Sequence, residues 1–155
     1  MKACRSCELI ARRDSNNAPL WDNIFRTEYW DVVHHLDTEL VGWLVLVTRR
    51  HIPSVAELSA AEASELGQLL RTVSLALKQV TGCLKTYVLQ FAEHPRHPHV
   101  HFHITPRMKA QPDNRRGPQI MAYAGVNEDN RVDEATMNEI GAQVRQFLLS
   151  INDKN

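Results

Sequence analysis

The chain has 155 residues, of which 43% are apolar and 23% charged. A single domain of this length buries roughly 70% of the surface its unfolded form exposes, so neither disulfides nor a metal are needed merely to fold it. Eighteen basic residues balance eighteen acidic ones, which speaks against a nucleic-acid polymer or a membrane surface as partner, since both call for a positive excess.

In chain order, the segment 1–20 comes first, with no apolar stretch long enough for a secretory signal, which predicts a cytoplasmic protein. It carries Cys4 and Cys7 as a C-x-x-C. That spacing fits a redox pair, half of a metal site, or two incidental thiols; no strand-helix pattern of the thioredoxin kind follows it. Arg13–Pro19 is turn-rich. Trp30–Leu36 reads as a strand and Gly42–Thr48 as a more fully buried one. Ser59 and Glu62 form a capping-box signature, followed by Leu66, Leu69, Leu70, Val73 and Leu77 at helical spacing up to Val80, with Gly82 as the stop. Lys85–Ala92 is a strand, and Cys83 just before it is a small core filler. A Pro/His-rich loop follows, then a strand over His99–Thr105. After turns at Gln111–Pro118 and Asn127–Asn130, Asp133–Leu149 gives a second amphipathic helix with Ile140, Val144, Phe147 and Leu148 on its apolar side. Paired strands around one long helix predict an α+β domain with a mainly antiparallel sheet of about five strands. The whole of 1–155 is read as one domain, in which 108–155 is a C-terminal extension.

Five of the eight histidines fall between positions 94 and 103. His99, His101 and His103 alternate strictly with Val100, Phe102 and Ile104. In a strand, positions i, i+2 and i+4 share one face about 7 Å apart, so three imidazoles line one face while three hydrophobes meet a core. Two chemistries need such a face. Imidazoles spaced this way can bind Zn²⁺, or a neutral imidazole can attack an electrophile such as phosphorus. Spacing alone leaves both open. No serine elbow, phosphate-cradling glycine loop or dinucleotide fingerprint offers a rival site.

His99–Thr105 resembles the signature of the histidine-triad (HIT) family, three histidines alternating with apolar residues and two apolar residues after the last. It departs only at Thr105. Pro106-Arg107 and the stretches Gly42–Val47 and Arg49–Ile52 extend the resemblance, which runs from residue 4 to residue 107. It implies a HIT-like fold and a nucleotide hydrolase or nucleotidyltransferase related to bacterial diadenosine polyphosphate hydrolases. The substrate implied is a nucleotide conjugate, with a purine nucleoside, and the assembly a homodimer through the long helix and an edge strand. By residue-by-residue carry-over, His101 attacks the α-phosphorus. His103 contacts the α-phosphate and handles protons at the leaving oxygen, and His99 orients its neighbour. Gln90 touches ribose or phosphate. Cys4, Cys7, His51 and His99 take the positions of a structural Zn²⁺ site, whose four protein ligands leave no open position for water.

The resemblance also breaks at identifiable places. Trp43 stands where the family usually has an accessory histidine. The small-residue loop before the triad is replaced by Glu93–Pro98, in which Arg96, and less strongly His97, are the candidates to meet phosphate; His94 reads as a solvated loop residue. Val33, His35, Leu36 and Val45 fall at the nucleoside-pocket positions, with His35 where the family often has a ribose-binding Asp and Asp37 as a neighbouring alternative. Arg115 and Arg116 are a short basic pair within reach of a polyphosphate tail. Two further hypotheses follow: a HIT-fold nucleotide-binding module with weak or lost catalysis, motivated by Trp43 and the altered loop, and a hydrolase with one metal held by His99, His101 and His103 together.

Overall fold

A computed structural model describes residues 4–152. The expected strands and helices form with shifted boundaries, and one helix and one strand are added. The additions are a helix α1 (Arg5–Asp14) within the N-terminal segment and a two-residue strand β1 (Phe25–Arg26). β2 (Trp30–His34) stops short of Leu36, β3 (Leu44–Thr48) starts after Trp43, and β4 spans Lys85–Leu89. The long helix α2 is Ala60–Thr81, and α3 is Glu134–Asn152. β5 runs from His101 to Arg107, so His99 lies just before the strand rather than in it. The five strands are antiparallel in the order β1-β2-β3-β5-β4.

Alternation sorts the two faces of this sheet. Val32, Leu46 and Phe102 pair across one row, and Leu44 with Ile104 across the next. These side chains meet Leu66, Leu69, Val73, Ala76 and Leu77 of α2 and Val144 and Leu148 of α3 in the main core. Trp30 lies edge-on to Phe102, with ring centroids 5.9 Å apart, and its indole N–H donates to the Glu62 carbonyl at 3.0 Å. The start of α2 is fixed as its sequence demands: Ser59 Oγ accepts from the Glu62 N–H at 3.1 Å, and Glu62 accepts from the Ser59 N–H at 2.7 Å. Gly42 sits at φ +84°, and a Cβ there would stand 3.0 Å from Thr81 at the end of α2. Only glycine fits both the turn and the close approach.

The opposite face carries Val33, Val45 and His103 in one row and Asp31, Val47 and His101 in the next. A second, smaller cluster covers its β2–β3 side: Ile10 of α1, Val33, Trp43, Val45 and Val47, with Leu40, Met121, Tyr123 and Ala124 packed against them. The C-terminal extension therefore folds over its own sheet. Its 3₁₀ segment Gly117–Tyr123 is held by Thr38 Oγ1 and the Glu39 N–H, both donating to the Tyr123 carbonyl at 2.9 and 3.1 Å.

Candidate functional site: an imidazole cluster beside a four-residue metal cradle

The triad is assembled where β5 enters the sheet between β3 and β4. His101 Nδ1 lies 2.7 Å from the carbonyl of His99. A carbonyl only accepts, so Nδ1 carries the ring proton and Nε2 keeps its lone pair. His103 has the reverse arrangement. The indole Nε1–H of Trp43, which can only donate, points at His103 Nδ1 from 3.0 Å, and the ring proton of His103 is therefore on Nε2. The two rings stand nearly perpendicular with centroids 4.9 Å apart. Among the described residues, neither Nε2 has a hydrogen-bond partner.

His35 joins them from the end of β2, its ring centroid 5.5 Å from that of His103 and 5.1 Å from Trp43. The Asp37 N–H donates to its Nδ1 at 2.9 Å, which puts its proton on Nε2. Burial lowers the pKa of every imidazole here. His35 is pushed down to about 4, by burial first and then His34 nearby. His103 falls to about 3, by burial and then by His101 and His35. His101 is lowered by burial, partly countered by its bond to the His99 carbonyl. The cluster is thus neutral at pH 7, the state in which imidazole is a nucleophile rather than a cation.

His99 is turned away from this cluster. Its Nε2–H donates to the Thr48 carbonyl at 2.7 Å, so Nδ1 is the ligating atom. That Nδ1 lies 3.2 Å from His51 Nδ1 and 3.6 Å from the sulfur of both Cys4 and Cys7; Cys7 Sγ is 3.3 Å from His51 Nδ1. All four donor atoms fall within 4.8 Å of one another. Bonds of ~2.0–2.1 Å to nitrogen and ~2.3 Å to sulfur in a tetrahedron imply edges of roughly 3.3 and 3.6 Å. The spacing observed fits that polyhedron. Burial and the neighbouring Cys4 push the Cys7 thiol up to about 11, so in the absence of a cation it keeps its proton; a metal would displace it. With both nitrogens of His99 engaged, one metal shared by His99, His101 and His103 does not fit this geometry.

The remaining sequence candidates are divided by the fold. Gln90 is half-buried one residue past Leu89, which pairs with His103. His97 is half-buried, its Nδ1 2.9 Å from Ser6 Oγ, and burial pushes it down to about 4. Arg96 and His94 are exposed, and the Arg96 carbonyl accepts from the Arg5 N–H at 2.8 Å. Val33 and Val45 lie on the same face of the sheet as His103 and are buried under Trp43 and its neighbours, and Leu36 is half-exposed beyond the strand end. Asp37 is taken by Arg131 Nε at 3.0 Å. Arg115 is engaged by Glu39, the Ala122 carbonyl and the Tyr123 ring, and Arg116 by Asp113 and the Gln111 carbonyl.

Three contributors escaped sequence reasoning. Ser6 anchors the pre-triad loop, the Thr48 carbonyl orients His99, and Arg13 is buried between Asp22 and Asp31 at 2.7 and 3.0 Å. Only the last had a signal, a basic residue on the apolar side of an amphipathic N-terminal stretch.

Comparisons with known proteins agree with this architecture. The comparison with curated proteins finds no match. Similar solved structures include a hypothetical histidine triad nucleotide-binding protein from Sulfolobus tokodaii, 14% identical, with a TM-score of 0.71 over 96% of this chain and 95% of that one. A Zn-bound histidine triad family protein from Mycobacterium smegmatis is 14% identical, with a TM-score of 0.68 over 98% and 97% of the two chains. A histidine triad protein from Bradyrhizobium japonicum is 23% identical, with a TM-score of 0.65 over 80% and 87%. At these identities the likeness is one of fold. The HIT domain family model matches residues 22–110, more than half of the chain and the part that holds β1 to β5 with the triad, and so the chain belongs to the HIT domain family.

Proposed function

We propose that the protein is a nucleotide hydrolase or nucleotidyltransferase acting at the α-phosphate of a nucleotide conjugate, a dinucleoside polyphosphate or a nucleoside phosphoramidate, through a covalent intermediate on His101. The observation that carries this reading is the His101 Nδ1 contact with the His99 carbonyl at 2.7 Å. It commits the ring proton to the backbone and aims a neutral lone pair outward, as nucleophilic catalysis by imidazole requires. In the first step the Nε2–P bond forms as the bond from phosphorus to the leaving group breaks. In the second, water or another acceptor attacks phosphorus as the Nε2–P bond breaks, its proton passes to solvent, and Nε2 regains its lone pair. His103 offers an Nε2–H to a phosphoryl oxygen, with His35, Gln90, Arg96 and His97 as the flanking binding groups.

Cys4, Cys7, His51 and His99 would hold a structural Zn²⁺, whose chemistry is to tie α1 to the start of β5 and keep the His99 backbone in place. The open outer edge of β4, with exposed Leu84, Val88 and Phe91, supports a homodimer. No described helix is long and apolar enough to cross a membrane; the three free cysteines support a reducing, cytoplasmic site of action.

A second reading, a HIT-fold nucleotide-binding module, is favoured by one observation: Trp43, Met121 and Tyr123 already fill the apolar side of the site above Val33 and Val45. Intact-protein mass spectrometry after brief incubation with diadenosine tetraphosphate or adenosine phosphoramidate separates the two. A transient adenylyl adduct is expected on the wild type and none on His101→Ala, which should keep its fold and lose at least ~10³-fold in turnover. Tight nucleotide binding with neither adduct nor turnover would select the module.

A further inference from the structure

We propose that Trp43 is a positioning residue that sets leaving-group specificity: its indole N–H holds His103 as a neutral Nε2–H donor that has no second proton to give, and so directs the site to conjugates whose leaving group departs as an anion. This rests on the nucleotidyl-transfer reading above.

Trp43 is fully buried, and its Nε1 is 3.0 Å from His103 Nδ1 in a T-shaped pair with ring centroids 5.5 Å apart. Indole N–H has no lone pair to offer. Protonating His103 Nδ1 would set two N–H groups against each other at that distance, and breaking the contact would leave a buried donor unpaired. Among the described residues, nothing facing His103 compensates an imidazolium. Its neighbours are His101 on its own strand, His35 beyond β2, Val45 on β3 and Leu89 on β4. His35 is itself committed as an Nε2–H donor by the Asp37 N–H. Burial pushing His103 down to about 3 agrees with this geometry.

The chemical consequence follows from proton balance. As the His101 Nε2–P bond forms, the bond to the leaving atom breaks with its electron pair on that atom. A neutral His103 stabilises oxygen charge by hydrogen bonding. Passing on its only ring proton would leave a buried imidazolate. General-acid help is therefore missing at the moment of bond breaking. A phosphate chain or an acidic phenol leaves without it; an alkoxide or an amine does not, which narrows the two substrate classes proposed above to the dinucleoside polyphosphate. The sequence-based expectation that His103 handles protons at the leaving oxygen gives way to that of a fixed donor.

The test compares adenosine 5′-(4-nitrophenyl phosphate) with adenosine 5′-(phenyl phosphate), which differ in the acidity of the phenol released, in wild type, Trp43→His and Trp43→Phe. Trp43→His replaces the donor by a ring that can accept and so lets Nδ1 take a proton: kcat/KM for the phenyl ester should rise relative to the nitrophenyl ester by about 10²-fold, the usual worth of a positioned acid, with a smaller rise in Trp43→Phe, which removes the donor but keeps the burial. A packing defect would lower both esters together, and an unchanged ratio in the folded variants overturns the proposal. Imidazole ¹⁵N NMR on the wild type gives an independent readout. His103 should stay the neutral Nε2–H tautomer down to about pH 5, and an Nδ1–H tautomer or an imidazolium at pH 6 overturns the assignment. Failure of the wild type to turn over either ester would instead remove the nucleotidyl-transfer reading, and the leaving-group half of this proposal with it, while the NMR result still decides what Trp43 does.

Discussion

His101 and His103 stand two positions apart on one strand, yet they end with opposite tautomers because different groups meet their Nδ1 atoms. For His101 the partner is a carbonyl of its own chain turn; for His103 it is an indole N–H sixty residues away. A third histidine shows the same principle with a stability consequence. His34 points into the core side of the sheet, where its Nε2 accepts from the Gly42 N–H at 3.0 Å and its Nδ1 donates to the His35 carbonyl at 2.8 Å. The bond accepted from Gly42 needs the neutral ring, and burial, partly countered by the bond to the His35 carbonyl, pushes its pKa down to about 4 from 6.5. The unfolded chain therefore takes up a proton near pH 6.5 that the folded one refuses until about pH 4. Stability from this group is complete above pH 6.5 and is lost as the pH falls through that window, by about 2 kcal/mol at about pH 5. Denaturant titrations at pH 7.5 and 5 should show a larger loss in the wild type, because His35, His97 and His103 are pushed down in the same way, and His34→Gln should reduce that loss by about 2 kcal/mol. The triad itself was legible from alternation. The tautomers were not, since a one-dimensional pattern cannot say which donor or acceptor a ring nitrogen meets.

At the scale of elements, α1 is the part whose position most needs explanation. Ten residues are too short for a helix to persist alone in water, and this one is pinned at both ends. Cys4 and Cys7 flank its first turn beside His51 and His99, Ser6 holds His97, and Arg13 in the last turn is buried against Asp22 and Asp31. The Cys4→Ser/Cys7→Ser double variant should lose the one zinc per chain expected of the wild type by metal analysis, with faster amide exchange throughout α1. Zinc retained in that variant would place the metal at the triad instead. Arg13→Ala leaves two buried carboxylates short of a partner, a change that costs about 3–5 kcal/mol in general. Arg12 still reaches Asp22 at 2.5 Å and Arg26 still reaches Asp31 at 2.7 Å, so the loss should lie near ~3 kcal/mol in urea unfolding. The capping box of α2 was readable because it is a contact between residues three apart. α1 was not, because what stabilises it comes from residues 22, 31, 51, 97 and 99.

For the molecule as a whole, the sheet order decides what is covered and what is left open. β5 lies between β3 and β4, which sets His101 beside Val47 and His103 beside Val45. β4 is then an edge with Val88 and its flanking Leu84 and Phe91 exposed, and unpaired strand edges invite association. Sedimentation should give about twice the 17.7 kDa chain mass, and Val88→Lys should return it to the monomer, with a charge placed at the edge. The amino-acid sequence by itself determined the α+β class, the two long helices, four of the five strands and the identity of the triad, all of which depend on periods of two to four residues along the chain. Tertiary structure alone decided that α1 docks beside His51, His97 and His99, just ahead of the triad strand, that the C-terminal extension closes over Val33 and Val45, and that Trp43 sets the proton of His103. Those outcomes depend on which distant segments share a face and on which donor meets which acceptor, and chain-local periodicity contains neither.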